Sequence, residues 1–270
     1  AAVRMASHWK LPNALPMLAK AVEDDHPRVR LEAVNALRQV GSLEAANLAL
    51  RALFYPVDRD IDYALWLTAR LTQDEWLPAL KSGETVFDGK IDRITFALSA
   101  ARDSRAITPL VTLLRKGLIK GKERHNVVRT VSALGDAQAL GAVLALAKDE
   151  ADLLPAVADG AQANQHVPVD SSGVVTFLED KHASTEVRTA AVRLSDRWKV
   201  AAAKPHLIGI IVSAQAQQAD RLAAANALAQ IGDFATLDEM ATSQTRTTIR
   251  TAAISAWART KPAEAAMAAA

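Results

Sequence analysis

The sequence predicts an all-α chain, a right-handed α-solenoid of about eight helical pairs running through residues 1–270 as a single array. Three observations carry the prediction. Residues 25–41 spell out one complete amphipathic helix, that helix returns at a near-constant period, and strand-like alternation is absent from a chain that is 50% hydrophobic but only 4% aromatic. Small side chains, Ala above all, suit helices packed closely against one another rather than a globule built around large rings.

Within Asp25-His26-Pro27-Arg28-Val29-Arg30-Leu31-Glu32-Ala33-Val34-Asn35-Ala36-Leu37-Arg38-Gln39-Val40-Gly41, the residues Val29, Ala33, Ala36, Leu37 and Val40 fall on one helical face. Asp25 can cap the first amides, Pro27 suits the first turn because it has no amide to lose, and Gly41 supplies a left-handed stop. Asn35-Ala36-Leu37-Arg38-Gln39-Val40-Gly41 reappears as Asn226-Ala227-Leu228-Ala229-Gln230-Ile231-Gly232, about six periods of roughly 32 residues later. Val187 to Val192, Ile249 to Ile254 and Ser132 to Gly135 restate further parts of it.

Each period reads as helix A, turn, helix B, turn. The first helix A covers about Leu11 to Glu23, followed by 43–54 with 58–71, 72–81 with 90–102, 105–116 with 123–134, and 137–148 with 150–163. Pro16, Pro78, Pro109 and Pro205 recur in the A helices, where a proline sets or kinks the entry. Thr72-Gln73-Asp74-Glu75 has a capping-box pattern. Pro155, Gly160 and the segment 165–173 break the phase, so an irregular stretch is expected there. The array resumes with 174–179 and 186–198, 201–214 and 219–230, and 234–242 and 248–259.

The pattern Ala14-Leu15-Pro16-x-Leu18, then Asp25-x-Pro27-x-Val29-Arg30-x-x-Ala33 and Leu37 to Gly41, resembles a HEAT repeat of the short HEAT-like variety. More narrowly, Tyr55-Pro56-Val57-Asp58-Arg59-Asp60-Ile61-Asp62-Tyr63-Ala64-Leu65-Trp66 and Glu75-Trp76-Leu77-Pro78-Ala79-Leu80 resemble the HEAT segment of large bacterial, planctomycete-type proteins. In these a sugar-dehydrogenase-like β-propeller precedes the helical array and a c-type haem domain follows it. That resemblance implies an exported or periplasmic parent with redox activity, and a spacer or scaffold role for this segment. The sequence has no Cys, so covalent haem attachment, disulfides and thiolate metal sites are excluded within it, and no cofactor is expected.

A net charge of +2, from 32 basic and 30 acidic residues, gives no field suited to nucleic acid or anionic lipid. This counts against a second class of HEAT-like protein, the DNA alkyl-base glycosylases, which binding to short duplexes with a steep salt slope would reveal. A third, a pigment lyase-like HEAT protein, would purify as a coloured complex. No apolar run is long enough to span a bilayer. The chain opens Ala1-Ala2-Val3 without an initiator Met, and is expected to be a processed product or part of a longer protein.

Catalytic chemistry finds no anchor. Asp58, Asp60 and Asp62 open like a calcium loop, but Tyr63 stands where that loop needs Gly and Ala69 where it needs Glu; helix-start acids explain them. The six histidines, His8, His26, His125, His166, His182 and His206, show no ligand spacing. Candidate partner-binding residues, for a neighbouring domain or protein subunit, form three sets. Arg30, Arg188 and Arg250, with Arg221 approximately, share one slot of helix B and form either a recognition ladder or inter-repeat bonds to turns. Lys116, Lys120, Lys122 and Arg124 make the one basic cluster. Met5 and Trp257 sit on apolar stripes near the two ends, neither of which reads as a cap.

Overall fold

The computed structural model describes residues 14–101, 104–243 and 246–269. Among them the protein forms 17 α-helices packed in sequential pairs, as in an α-solenoid. Val3, Met5 and Trp9 lie outside the described residues. The helices fall into two units, residues 1–127 and 128–270.

In the first unit, α1 (Ala14–Ala21) pairs with α2 (Pro27–Val40), α3 (Leu43–Ala49) with α4 (Arg59–Leu71), α5 (Gln73–Ser82) with α6 (Ile91–Ala101), and α7 (Ile107–Arg115) with the start of α8 (Gly121–Leu134). The B helices α2, α4 and α6 stack on one another, and the A helices α1, α3 and α5 form the second layer. Val34, Leu37, Leu65, Leu77 and Leu98 are buried in the seam.

The ends of these helices follow capping chemistry, with two departures from the sequence reading. His26, not Asp25, occupies the N-cap of α2, where its Nδ1 accepts from the Arg28 amide at 3.2 Å; Gly41 closes the helix at φ 71°. Thr72 precedes α5, yet its hydroxyl donates back to the Thr68 carbonyl at 2.8 Å instead of capping forward. The reason is that α4 runs directly into α5, so Thr72 is also the last cap of α4, and its hydroxyl joins its own amide on the Thr68 carbonyl within reach. Asp58 caps α4, accepting from the Ile61 amide at 2.8 Å.

The turn before α6 holds the one pair of adjacent non-glycine residues at positive φ, Phe87 at 52° and Asp88 at 55°, among the described residues. Such residues persist only where the surroundings over-determine them. Phe87 is fully buried against Trp76, with ring centroids 5.5 Å apart, and its amide donates to Asn47 Oδ1 at 2.7 Å. Asp88 accepts from Arg93 at 2.6 Å and from Arg51 at 3.2 Å. Burial pushes the Asp88 carboxyl up, but the hydrogen bonds and charges of Arg51 and Arg93 outweigh it and hold the group below the usual carboxylate range. A depressed folded-state value means that Asp88 contributes stability above the ordinary carboxylate pKa of about 4 and loses it as pH falls through the folded value. Asp88→Asn is therefore expected to unfold more easily in urea at pH 7 and to show a shallower loss of stability below about pH 4 than the parent protein. Equal pH slopes for the two proteins would contradict the assignment.

In the second unit, α9 (Ala137–Asp149) pairs with α10 (Leu154–Ala161), α11 (Val175–Glu179) with α12 (Thr185–Trp198), α13 (Lys204–Val212) with α14 (Gln218–Ile231), and α15 (Phe234–Ser243) with α16 (Thr247–Thr260). A final helix, α17 (Pro262–Ala269), packs on α15 and α16. The B helices α10, α12, α14 and α16 stack in order.

No helix covers residues 164–171, between α10 and α11, and Pro155 and Gly160 lie outside this irregular segment. Pro155 sits in the first turn of α10, where a missing amide costs nothing. Gly160 lies inside α10 because that helix crosses the end of α8 too closely for a side chain: a Cβ there would fall 2.3 Å from the Arg129 carbonyl oxygen and 2.6 Å from Ser132 Cβ. Just beyond, the buried Asn164 donates its amide to the Ser132 and Gly135 carbonyls at 2.9 and 2.7 Å, closing the C-terminal end of α8. Arg197 of α12 in turn donates to the Ala161 carbonyl at 3.1 Å and to the Asn164 carbonyl. One repeat thus satisfies the orphan carbonyls of the one before it.

Candidate functional site

The helix-B arginines answer the question that the sequence left open. Arg30, Arg124, Arg188, Arg221 and Arg250 are each the fourth residue of their helix, and Arg93 is the third of α6. At that position the side chain reaches back over the preceding turn. Arg30 donates to the carbonyls of Asp24 at 2.8 Å, Asp25 at 2.9 Å and Pro56 at 2.8 Å, the last in the next repeat. Arg221 donates to Ser213 at 2.7 Å, Arg250 to Ala241 at 3.1 Å and Arg188 to Ala183 at 2.7 Å. Arg30, Arg93, Arg124 and Arg221 are buried, which removes them from any surface that a partner could touch; Arg188 and Arg250 are exposed.

The basic cluster divides along the same line. Arg124 turns inward and donates to the Leu114 carbonyl at 3.0 Å, so it belongs to the turn and not to a binding patch. Ile119 is buried beneath the loop, while Lys116, Lys120 and Lys122 remain exposed around it. Arg93 and Arg124 were legible as slot residues only by counting from a helix start, which the irregular turn lengths obscure.

Trp257 is buried on the inner side of α16, so it is a packing residue. Pro262 opens α17, Lys261 donates to the Glu264 carboxylate at 3.0 Å, and Ala265 is buried. Trp76 and Trp198 are buried as well, whereas Trp66 is half-buried.

Two features stand out on the surface. On α4, Tyr63 is 62% exposed and stacks on Trp66 with centroids 6.0 Å apart; the Arg70 guanidinium lies 5.2 Å from the Trp66 ring on the same face. Phe54, just before this helix, is 81% exposed. Asp60 and Asp62 are exposed in the first turn of α4, beside Tyr63. In the second unit a cavity of about 320 Å³ opens between α12, the end of α13 and the start of α14, with Arg188 and Asp220 on its walls. The half-buried Asp196 carboxyl is pushed up by burial, which the charges of Arg259 and Arg197 only partly offset.

Residues 1–67 match the family model for HEAT repeats. The match covers α1 to α3 and most of α4, including Tyr63 and Trp66. No curated protein matches the sequence. No helix among the described residues is long and apolar enough to cross a membrane.

Proposed function

We propose that this protein is a non-catalytic protein-interaction scaffold, or a spacer between domains, within a bacterial multidomain redox protein. The observation that carries the reading is the exposed aromatic face of α4 in a repeat array whose buried arginines are committed to its own turns. Tyr, Trp and Arg are the side chains that interfaces concentrate, because they bury much surface at a low entropic cost and keep a polar end. Asp60 and Asp62 beside Tyr63 favour a partner with an apolar centre and a basic rim, through complementary charge. The redox parent rests on the resemblance of residues 55–66 and 75–80 described above.

The reading is tested by purifying the tagged protein from its source organism and identifying what accompanies it by intact mass. A single stoichiometric protein partner is expected. Tyr63→Ala and Trp66→Ala should weaken its binding by about tenfold or more, and Lys120→Glu should leave it unchanged. A partner that ignores both aromatic variants, or a purified protein that turns over a substrate, would overturn the proposal.

A further inference from the structure

Arg188 departs from its buried counterparts in the other repeats and, unlike the exposed Arg250, lines a cavity. Arg30 spends its guanidinium on three carbonyls and is 3% exposed, and Arg221 is 6% exposed; Arg188 keeps one turn bond, to Ala183, and is exposed on the wall of the cavity between α12 and α14. Asp220, on α14, lines the same cavity. Val192 and Ile210 supply an apolar wall and Thr185 and Thr189 supply hydroxyls. At about 320 Å³ the space falls at the lower end of ligand-pocket volumes.

A guanidinium and a carboxylate on the walls of one cleft call for a ligand that carries the opposite charges at its two ends. We propose that this cavity binds a short peptide segment of a partner protein, with a carboxylate on Arg188, an aliphatic side chain against Val192 and Ile210, and an ammonium on Asp220. A planar guanidinium meets a carboxylate through paired hydrogen bonds, which fixes orientation as well as charge. The carboxylate can come from the C-terminus of the partner or from one of its internal acidic side chains. The inference rests on the scaffold reading and names one class of segment that such a scaffold would hold.

The test is titration of the intact protein with three probes, followed by amide NMR shifts at Thr189, Val192 and Ala223: acetyl-lysyl-valine with a free C-terminus, its C-terminal amide, and the amidated peptide extended by one glutamate. The free acid is expected to saturate these shifts in the millimolar range. Its amide should bind about tenfold more weakly, and the glutamate peptide should match the free acid only if an internal acid suffices. Arg188→Gln should abolish the advantage of the free acid over its amide. Asp220→Asn should weaken acetyl-lysyl-valine but not acetyl-alanyl-valine. Because the amide arm alters only the ligand, it holds even if a variant misfolds. Equal binding of acid and amide, or no shift at about 10 mM of any probe, would overturn the proposal. If the peptides fail while a protein partner still depends on Tyr63, the cavity assignment falls and the scaffold stands; if the free acid binds but no protein partner exists, the scaffold falls and takes the partner-segment assignment with it.

Discussion

Gly160→Ala is expected to destabilise the second unit by about 1–3 kcal/mol, and Gly160→Val by more. The direction is diagnostic, because the same substitution in an ordinary helix interior stabilises by about 0.5–1 kcal/mol through lower backbone entropy in the unfolded state and better helix propensity. Here the added methyl meets the Arg129 carbonyl at 2.3 Å and Ser132 Cβ at 2.6 Å. Both belong to a helix body, so neither can step aside without moving α8. Any shift that relieves the clash also pulls at Asn164, whose amide bonds the Ser132 and Gly135 carbonyls. Urea unfolding followed by circular dichroism measures the effect. A gain in stability would show that α8 and α10 do not cross closely at this point.

Arg30→Ala should cost about 3 kcal/mol in the first unit, since it removes bonds from a charged donor to three carbonyls. The loss goes beyond the bonds. The guanidinium also lies 5.3 Å from the Tyr55 ring, so the aliphatic and cationic packing of that turn is lost with it. Arg30→Lys is expected to recover less than half of the loss, because an ammonium on a flexible stem cannot span carbonyls in two successive repeats as the planar fork does. Full rescue by Lys would mean that charge alone, and not geometry, holds the turn.

The fold was legible because its signal is periodic. Apolar residues at helical spacing, a returning Asn-Ala-Leu string and prolines near helix starts all report backbone and burial, which each repeat restates. What was not legible depends on neighbours far along the sequence. Gly160 reads as a helix breaker in sequence, since nothing local reveals that Arg129 and Ser132 lie against it. Trp257 and Arg124 look like surface candidates from apolar striping and charge clustering, but α17 packs against the helix that carries Trp257 and the turn carbonyl of Leu114 takes Arg124. Tyr63 presents the converse case. It stands where helix spacing allows either packing or exposure, and only the stacked placement on Trp66 shows that its ring faces outward.

The buried helix-B arginines, Arg30, Arg93, Arg124 and Arg221, hold the turns of the array, while recognition lies on exposed side chains. The most direct test measures urea unfolding for single alanine variants of Arg30, Arg93, Arg124, Arg188, Arg221 and Arg250, alongside partner binding by each. The account predicts that stability falls with Arg30, Arg93, Arg124 and Arg221, which are buried, and changes by less than about 1 kcal/mol for Arg188 and Arg250, which are exposed. Unchanged stability in the four buried variants, together with lost binding of the partner, would make the arginines a recognition ladder and contradict it.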